Sequence, residues 1–217
     1  IAGLILLWSE GEDGAWTGFF FGMGLFLFGV SWVYVSLHDF GGMPLPVAVL
    51  ATVLFCAFLS LYFDLCGKLQ EKFKAAPMLK AALFIPSILA LADWLRGWLF
   101  TGFPWLAFGY SQTDSGPLSG FAPLFGVYGV SLVTATCGGL VYLLSKPASR
   151  KKAAILIFML FLAGYGLKKI SWTAPTGKPV TVSLVQGNIP QDRKWSDTAL
   201  DDTLDAYMRL VLSSKAS

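Results

Sequence analysis

Long apolar runs alternate with short polar breaks along most of this chain, and their lengths set its architecture. After IAGLILLW at 1–8 and the polar stretch Ser9 to Gly14, apolar segments cover about 15–37, 44–65, 81–99, 121–144 and 153–167. Each approaches the ~20 residues a helix needs to cross a bilayer, the last only if Tyr165 to Trp172 completes it. The pattern predicts a polytopic α-helical membrane bundle over 1–172, with a partial first helix and five complete spans. Gly18, Gly22, Gly24 and Gly29 recur in the first complete span, where small residues let a neighbouring helix approach closely.

Beyond Trp172 the pattern changes. TAPTGKP at 173–179 reads as a turn-rich linker, and PVTVSLVQGNIP after it alternates as a strand does, with Val180, Val182 and Leu184 on one face. Gly187 and Pro190 close that strand, and Ser196 or Thr198 can cap a helix. Leu200, Leu204, Tyr207, Met208 and Val211 then recur at helical spacing. A strand, a loop and a helix over 180–217 form the opening of an α/β domain. Such a unit cannot bury its faces alone, so the expectation is a fold truncated at both ends.

Composition removes the soluble alternative: 55% of residues are apolar, 13% are charged and the mean hydropathy is +0.64. The net charge of +3 is too small to suggest nucleic acid as a partner. The placement of the basic residues is more informative. Lys68, Lys72, Lys74 and Lys80 fill one connector, and Lys146, Arg150, Lys151 and Lys152 another, whereas 37–46 and 97–117 contain neither Lys nor Arg. The positive-inside rule puts both basic loops in the cytoplasm and the glycine- and aromatic-rich loops outside, with Lys168 and Lys169 a mild violation. Counting spans then places 173–217 outside as well. Cys56, Cys66 and Cys137 lie in or beside apolar spans without metal-ligand spacing and read as small core residues. No metal or cofactor is expected.

One stretch joins an apolar span to an aromatic-rich segment that cannot continue as the same helix: LADWLRGWLFTGFPWLAFGYSQ at 91–112, with Pro104 as the expected break. Asp93 and Arg96, three residues apart, share a helical face on which a carboxylate and a guanidinium can neutralise one another. Trp98, Phe100, Phe103, Trp105, Phe108 and Tyr110 follow, a composition suited to a membrane–water interface. LRGWLFTGFPWLAFGYSQ at 95–112, WVYVSLHDFGGMP at 32–44 and VSLVQGNIPQDRKW at 182–195 together resemble the apolipoprotein N-acyltransferases of the bacterial envelope.

That resemblance implies a multi-pass inner-membrane enzyme, working as a monomer, with a periplasmic nitrilase-like domain. Its implied partners are a phospholipid acyl donor, a diacylglyceryl lipoprotein acceptor and the bilayer. An acyl chain held as a thioester would pass to the amino group of the lipoprotein's terminal cysteine, the third step of lipoprotein maturation. The family's Glu, Lys and Cys triad would follow Ser217, so the chain alone is expected to be inactive. What carries over is substrate contact. Trp195 matches a family tryptophan beside the active site, weighed against a hydrophobic staple at a helix start. Gln191 could donate a hydrogen bond or brace its loop. Phe40, Phe103 and Trp105 resemble the aromatic wall of the acyl pocket, weighed against a belt that only anchors depth. Asp93 with Arg96 is read as a structural pair rather than a headgroup site, and His38 beside Asp39 as part of an interfacial turn.

Two other classes share the helix count. A secondary transporter would show broken helices and internal repeats, neither of which the sequence displays, and a non-catalytic envelope scaffold would also combine a bundle with an outer domain. Reporter fusions should place 68–80 and 146–152 in the cytoplasm and 173–217 in the periplasm. A cytoplasmic signal from a fusion at Lys178 would contradict this topology.

Overall fold

The computed structural model of the chain describes residues 1–11, 13–113, 116–190 and 199–214. The first helices are α1 (Ala2–Glu10), α2 (Gly14–Gly29) and α3 (Trp32–Val35), which continues as a π turn over Ser36–Phe40. α4 (Leu45–Lys72) and α5 (Pro77–Arg96) follow, the latter containing a π turn at Lys80–Phe84. α6 (Ala122–Leu144) is led by a 3-10 turn at Pro117–Phe121, and α7 (Arg150–Lys168) and α8 (Ala199–Ser213) complete the series. Leu45–Lys72, Pro77–Arg96 and Pro117–Leu144 are long and apolar enough to cross a membrane. α2 with Trp32–Phe40 makes a fourth if that pair, bent by 51°, counts as one span.

The bend is a broken helix that the sequence did not display. Beside it lies Gly29, whose missing side chain leaves the place taken by Leu106. In α7 the uncharged stretch between Lys152 and Lys168 is short, and the helix ends at Lys168 rather than running on to Trp172. Residues 179–190 form neither helix nor strand, and Val180, Val182 and Leu184 are exposed. A strand exists only when its N–H and C=O groups meet a neighbour, and the described residues supply none. α8 forms as expected, with Leu200, Leu204, Tyr207, Met208 and Val211 exposed.

The core is built on close antiparallel packing of α2 against α4. A methyl group at Gly18 would collide with the Phe63 carbonyl, at Gly22 with Ser60, and at Gly14 with Gln70 and Gly67. The contact stripe is thus Gly14, Gly18 and Gly22; Gly24, expected in it, faces open space. Such approach maximises dispersion contact where lipid removes the hydrophobic drive between helices. Leu4, Ile5, Trp8, Phe26, Leu59 and Phe63 are among the side chains sealed inside, and all three cysteines are buried free thiols, as their placement predicts.

The polar loops sort to one end. Glu10 pairs with Lys146 at 3.2 Å, and the Gly14 amide donates to the Glu71 carboxylate, so the loops at 9–14, 68–76 and 145–150 lie together. Glu10 also raises the pKa of Lys146 above its ordinary value through this hydrogen bond. The two basic connectors share one end of the bundle, which is the geometry that a common side of the membrane requires.

Candidate functional site

α5 stops at Arg96, eight residues ahead of Pro104. The Gly97 and Trp98 amides close 3-10 turns on the Trp94 and Leu95 carbonyls at 3.0 and 3.3 Å. Phe100 (φ 53), Thr101 (φ 72) and Gly102 (φ 81) then reverse the chain, and the Phe103 amide returns to the Arg96 carbonyl at 2.7 Å. Left-handed backbone at two consecutive non-glycine residues is costly and persists only where the surroundings enforce it.

The enforcement comes from Asp93 and Arg96. Both are 2% exposed, and Arg96 Nη2 donates to Asp93 Oδ1 at 2.9 Å. Arg96 Nη1 donates to the carbonyl of Phe103 at 2.8 Å and also to that of Trp105. Asp93 Oδ2 accepts from the Phe108 amide and from the Ser131 hydroxyl, each at 2.9 Å, and Ser131 Oγ accepts from the Gly109 amide at 2.8 Å. The guanidinium stands over the Phe26 ring at 5.3 Å. A charged pair withdrawn from water is tolerated only when its remaining donors and acceptors are satisfied. Here the backbone of 103–109 satisfies them. The structural reading of the pair holds, and Ser131 is the member that the sequence reading missed; its signal was one serine in the apolar span of α6.

Pinned this way, the segment does not stay only at the rim of the bundle. Phe103 meets Phe55 at 5.0 Å, Phe100 meets Phe58 at 5.6 Å and Phe108 meets Phe63 at 6.0 Å. Those partners follow Leu45 by 10, 13 and 18 residues. At 1.5 Å per residue they lie about 15 to 27 Å along α4. The aromatic segment therefore packs along α4 as well as at the end of the bundle. The loop folds inward because its own carbonyls and amides are ligands of a buried ion pair.

Phe103 and Trp105 are brought together, 6.3 Å apart, with Trp32 5.3 Å from Trp105. Phe40 is 54% exposed and makes no ring contact with them among the described residues. Trp195 and Gln191 lie outside the described residues. His38 Nδ1 donates to the Met43 carbonyl at 2.7 Å and the ring stacks on Tyr34, so it closes its turn as expected.

Apolar clefts flank the loop. One of about 190 Å³ runs between α4 and Phe100 to Phe103, with Arg96 in its wall. It shares Phe58, Tyr62, Leu99 and Phe100 with a neighbouring cleft of about 330 Å³. Another, of about 420 Å³, is bordered by Pro104, Trp105, Leu106 and Tyr110. Surfaces of this kind hold methylene chains at about 0.8 kcal/mol per buried CH₂. Among the described residues no cluster of His, Cys, Asp or Glu is arranged to hold a metal.

Membrane-length apolar helices around an inward-folded aromatic loop define a polytopic helical membrane protein. Residues 1–140 match the family model of the apolipoprotein N-acyltransferase N-terminal domain. The chain is 46% identical to an apolipoprotein N-acyltransferase of Nitrosomonas europaea over 222 residues, covering 99% of the chain and 44% of that relative. It is 47% identical to one of Coxiella burnetii over 88% of the chain and 40% of the relative. For that of Ralstonia nicotianae the identity is 40%, over 100% and 42%. The chain belongs to the apolipoprotein N-acyltransferase family, and it spans less than half the length of these curated relatives.

The ion-pair network makes a quantitative prediction. Asp93→Ala should lower stability by about 3–5 kcal/mol, because it leaves a buried guanidinium uncompensated. Ser131→Ala, which removes one hydrogen bond to the Asp93 carboxylate and one from the Gly109 amide but leaves the ion pair in place, should cost about 1–3 kcal/mol. Unfolding of both variants in detergent checks this, and equal costs would contradict the ranking.

Proposed function

We propose that this chain is the membrane part, with the beginning of the periplasmic nitrilase-like domain, of an enzyme that N-acylates lipoproteins. The observation that carries the reading is the family match over almost the whole chain, at 39–47% identity. In the proposed reaction a cysteine thiolate attacks the ester carbonyl of a phospholipid, a thioester forms and the lysophospholipid leaves with a proton. The amine of a diacylglyceryl-cysteine then attacks the thioester, giving an amide and regenerating the thiol. A carboxylate moves the protons and a lysine ammonium stabilises each oxyanion.

Within this reading 1–172 positions lipid and 173–179 links it to the outer domain. Phe103 and Trp105 border clefts with the apolar character an acyl chain needs. Trp195, after Arg193 and Lys194 and shortly beyond the linker, is assigned to the lipid end of a substrate, with Gln191 beside it and Phe40 on the other outward turn. An indole there offers a flat apolar face and one N–H donor.

In the full-length enzyme, Trp195→Ala should lower turnover efficiency by roughly ten- to a hundredfold with near-normal membrane abundance, equivalent to about 1–3 kcal/mol of lost contact. The assay follows label from the acyl chain of a phospholipid into a diacylglyceryl lipopeptide. Unchanged turnover per folded molecule would overturn the tryptophan's role. Absence of labelled lipopeptide with the unaltered enzyme would overturn the acyl-transfer reading itself.

A further inference from the structure

The loop end of the bundle contains a cavity of about 210 Å³ that the acyl-transfer reading does not use. Trp8 and Ser9 of α1, Pro77, Lys80 and Ile85 of α5 and Tyr142 of α6 surround it. Its walls come from three helices, so it is a gap between elements rather than a dent in one loop. Trp8, Ala81 and Ile85 are buried and give it an apolar floor.

Lys80 is its cation. It is partly buried and opens the π turn Lys80–Phe84, and its ammonium makes no hydrogen bond or ion pair among the described residues. Among the described residues, the acidic groups nearby are engaged elsewhere. Glu10 holds Lys146 at 3.2 Å, Asp13 caps α2 through the Trp16 amide at 3.1 Å, and Glu71 accepts from the Gly14 amide. The Ser9 hydroxyl donates to the Ile5 carbonyl at 2.7 Å and the Trp8 indole to the Gly14 carbonyl at 2.8 Å, so the Lys80 ammonium dominates what the cavity offers a ligand. Lys146 lies 5.2 Å from the Tyr142 ring, and Lys72 and Lys74 stand exposed on the connector. The local field is therefore positive, and an anion is the missing partner.

We propose that this cavity binds the phosphate-bearing headgroup of an anionic phospholipid from the leaflet facing the basic loops, with Lys80 on the phosphodiester and Tyr142 donating beside it. The volume suits a phosphate with its glycerol, and the apolar floor accepts the first carbons of the lipid while the acyl chains lie outside along the helices. Basic pockets between membrane helices on the cytoplasmic side recognise such headgroups. The site is separate from Phe103 and Trp105, and its occupancy does not depend on acyl transfer.

Native mass spectrometry of the full-length enzyme in mixed micelles of phosphatidylglycerol and phosphatidylcholine tests this. Retention of phosphatidylglycerol over phosphatidylcholine is expected, and Lys80→Gln should reduce that preference about fivefold, the weight of one basic residue at an anionic surface. Tyr142→Phe, which keeps the shape of the wall, should reduce it in the same direction and carries the test if the lysine variant folds poorly. Lys152→Gln, altering a residue outside the cavity, should leave it unchanged. Equal retention of the two lipids, or an equal effect of the Lys80 and Lys152 changes, would overturn the site. Displacement by millimolar inorganic phosphate would identify a soluble phosphate as its ligand and overturn the lipid assignment.

Discussion

A buried ion pair has few ways to exist inside an apolar bundle, and the structure is organised by the one it uses. Asp93 and Arg96 neutralise one another at 2.9 Å, but a carboxylate and a guanidinium also have further lone pairs and N–H groups to satisfy. Two backbone carbonyls, a backbone amide and the Ser131 hydroxyl supply that complement. The consequence is geometric. The chain after α5 must pass close to the pair, so the aromatic segment is drawn along α4 as well as across the bundle's end. Arginine suits this role because its planar fork reaches Asp93 and two carbonyls at once, which a lysine ammonium on a flexible stem holds less rigidly.

The inward loop in turn depends on room made elsewhere. Gly29 leaves space for Leu106, and the helix bends there by 51°. Gly109 lies so close to α6 that any side chain would strike the Val127 carbonyl. The same small-residue logic that brings α2 onto α4 therefore also admits a non-helical segment. Irregular backbone at such a position is tolerated because its polar groups are met by protein.

Much of this was legible in the sequence because it follows from length, periodicity and charge. The apolar runs gave α5 and α6 within a few residues and the starts of α2 and α4, although α2 ends at Gly29 and α4 runs on to Lys72; the two basic connectors indicated a common end, and the spacing of Asp93 and Arg96 announced their pairing. Other features depend on tertiary partners and left weaker marks. Pro104 drew attention as the helix breaker, yet Gly97 and the demands of Arg96 end α5 earlier. The aromatic composition of 98–110 suggested an interface; local sequence does not reveal that backbone carbonyls will serve a buried cation. Ser131 was one hydroxyl in an apolar span, silent until Asp93 stood opposite. The alternation at 180–184 marks strand potential, which becomes a strand only with a neighbour to pair with.

The central claim is that the ion pair, more than the aromatic rings, holds the loop in the bundle. Amide hydrogen exchange in the full-length protein reads this directly at Phe103, Phe108 and Gly109, whose N–H groups go to the Arg96 carbonyl, Asp93 and Ser131. The account predicts strong protection at all three, lost at Phe108 in Asp93→Ala while the interior of α4 stays protected. Exchange at these amides as fast as in the 173–179 linker of the unaltered protein would contradict it.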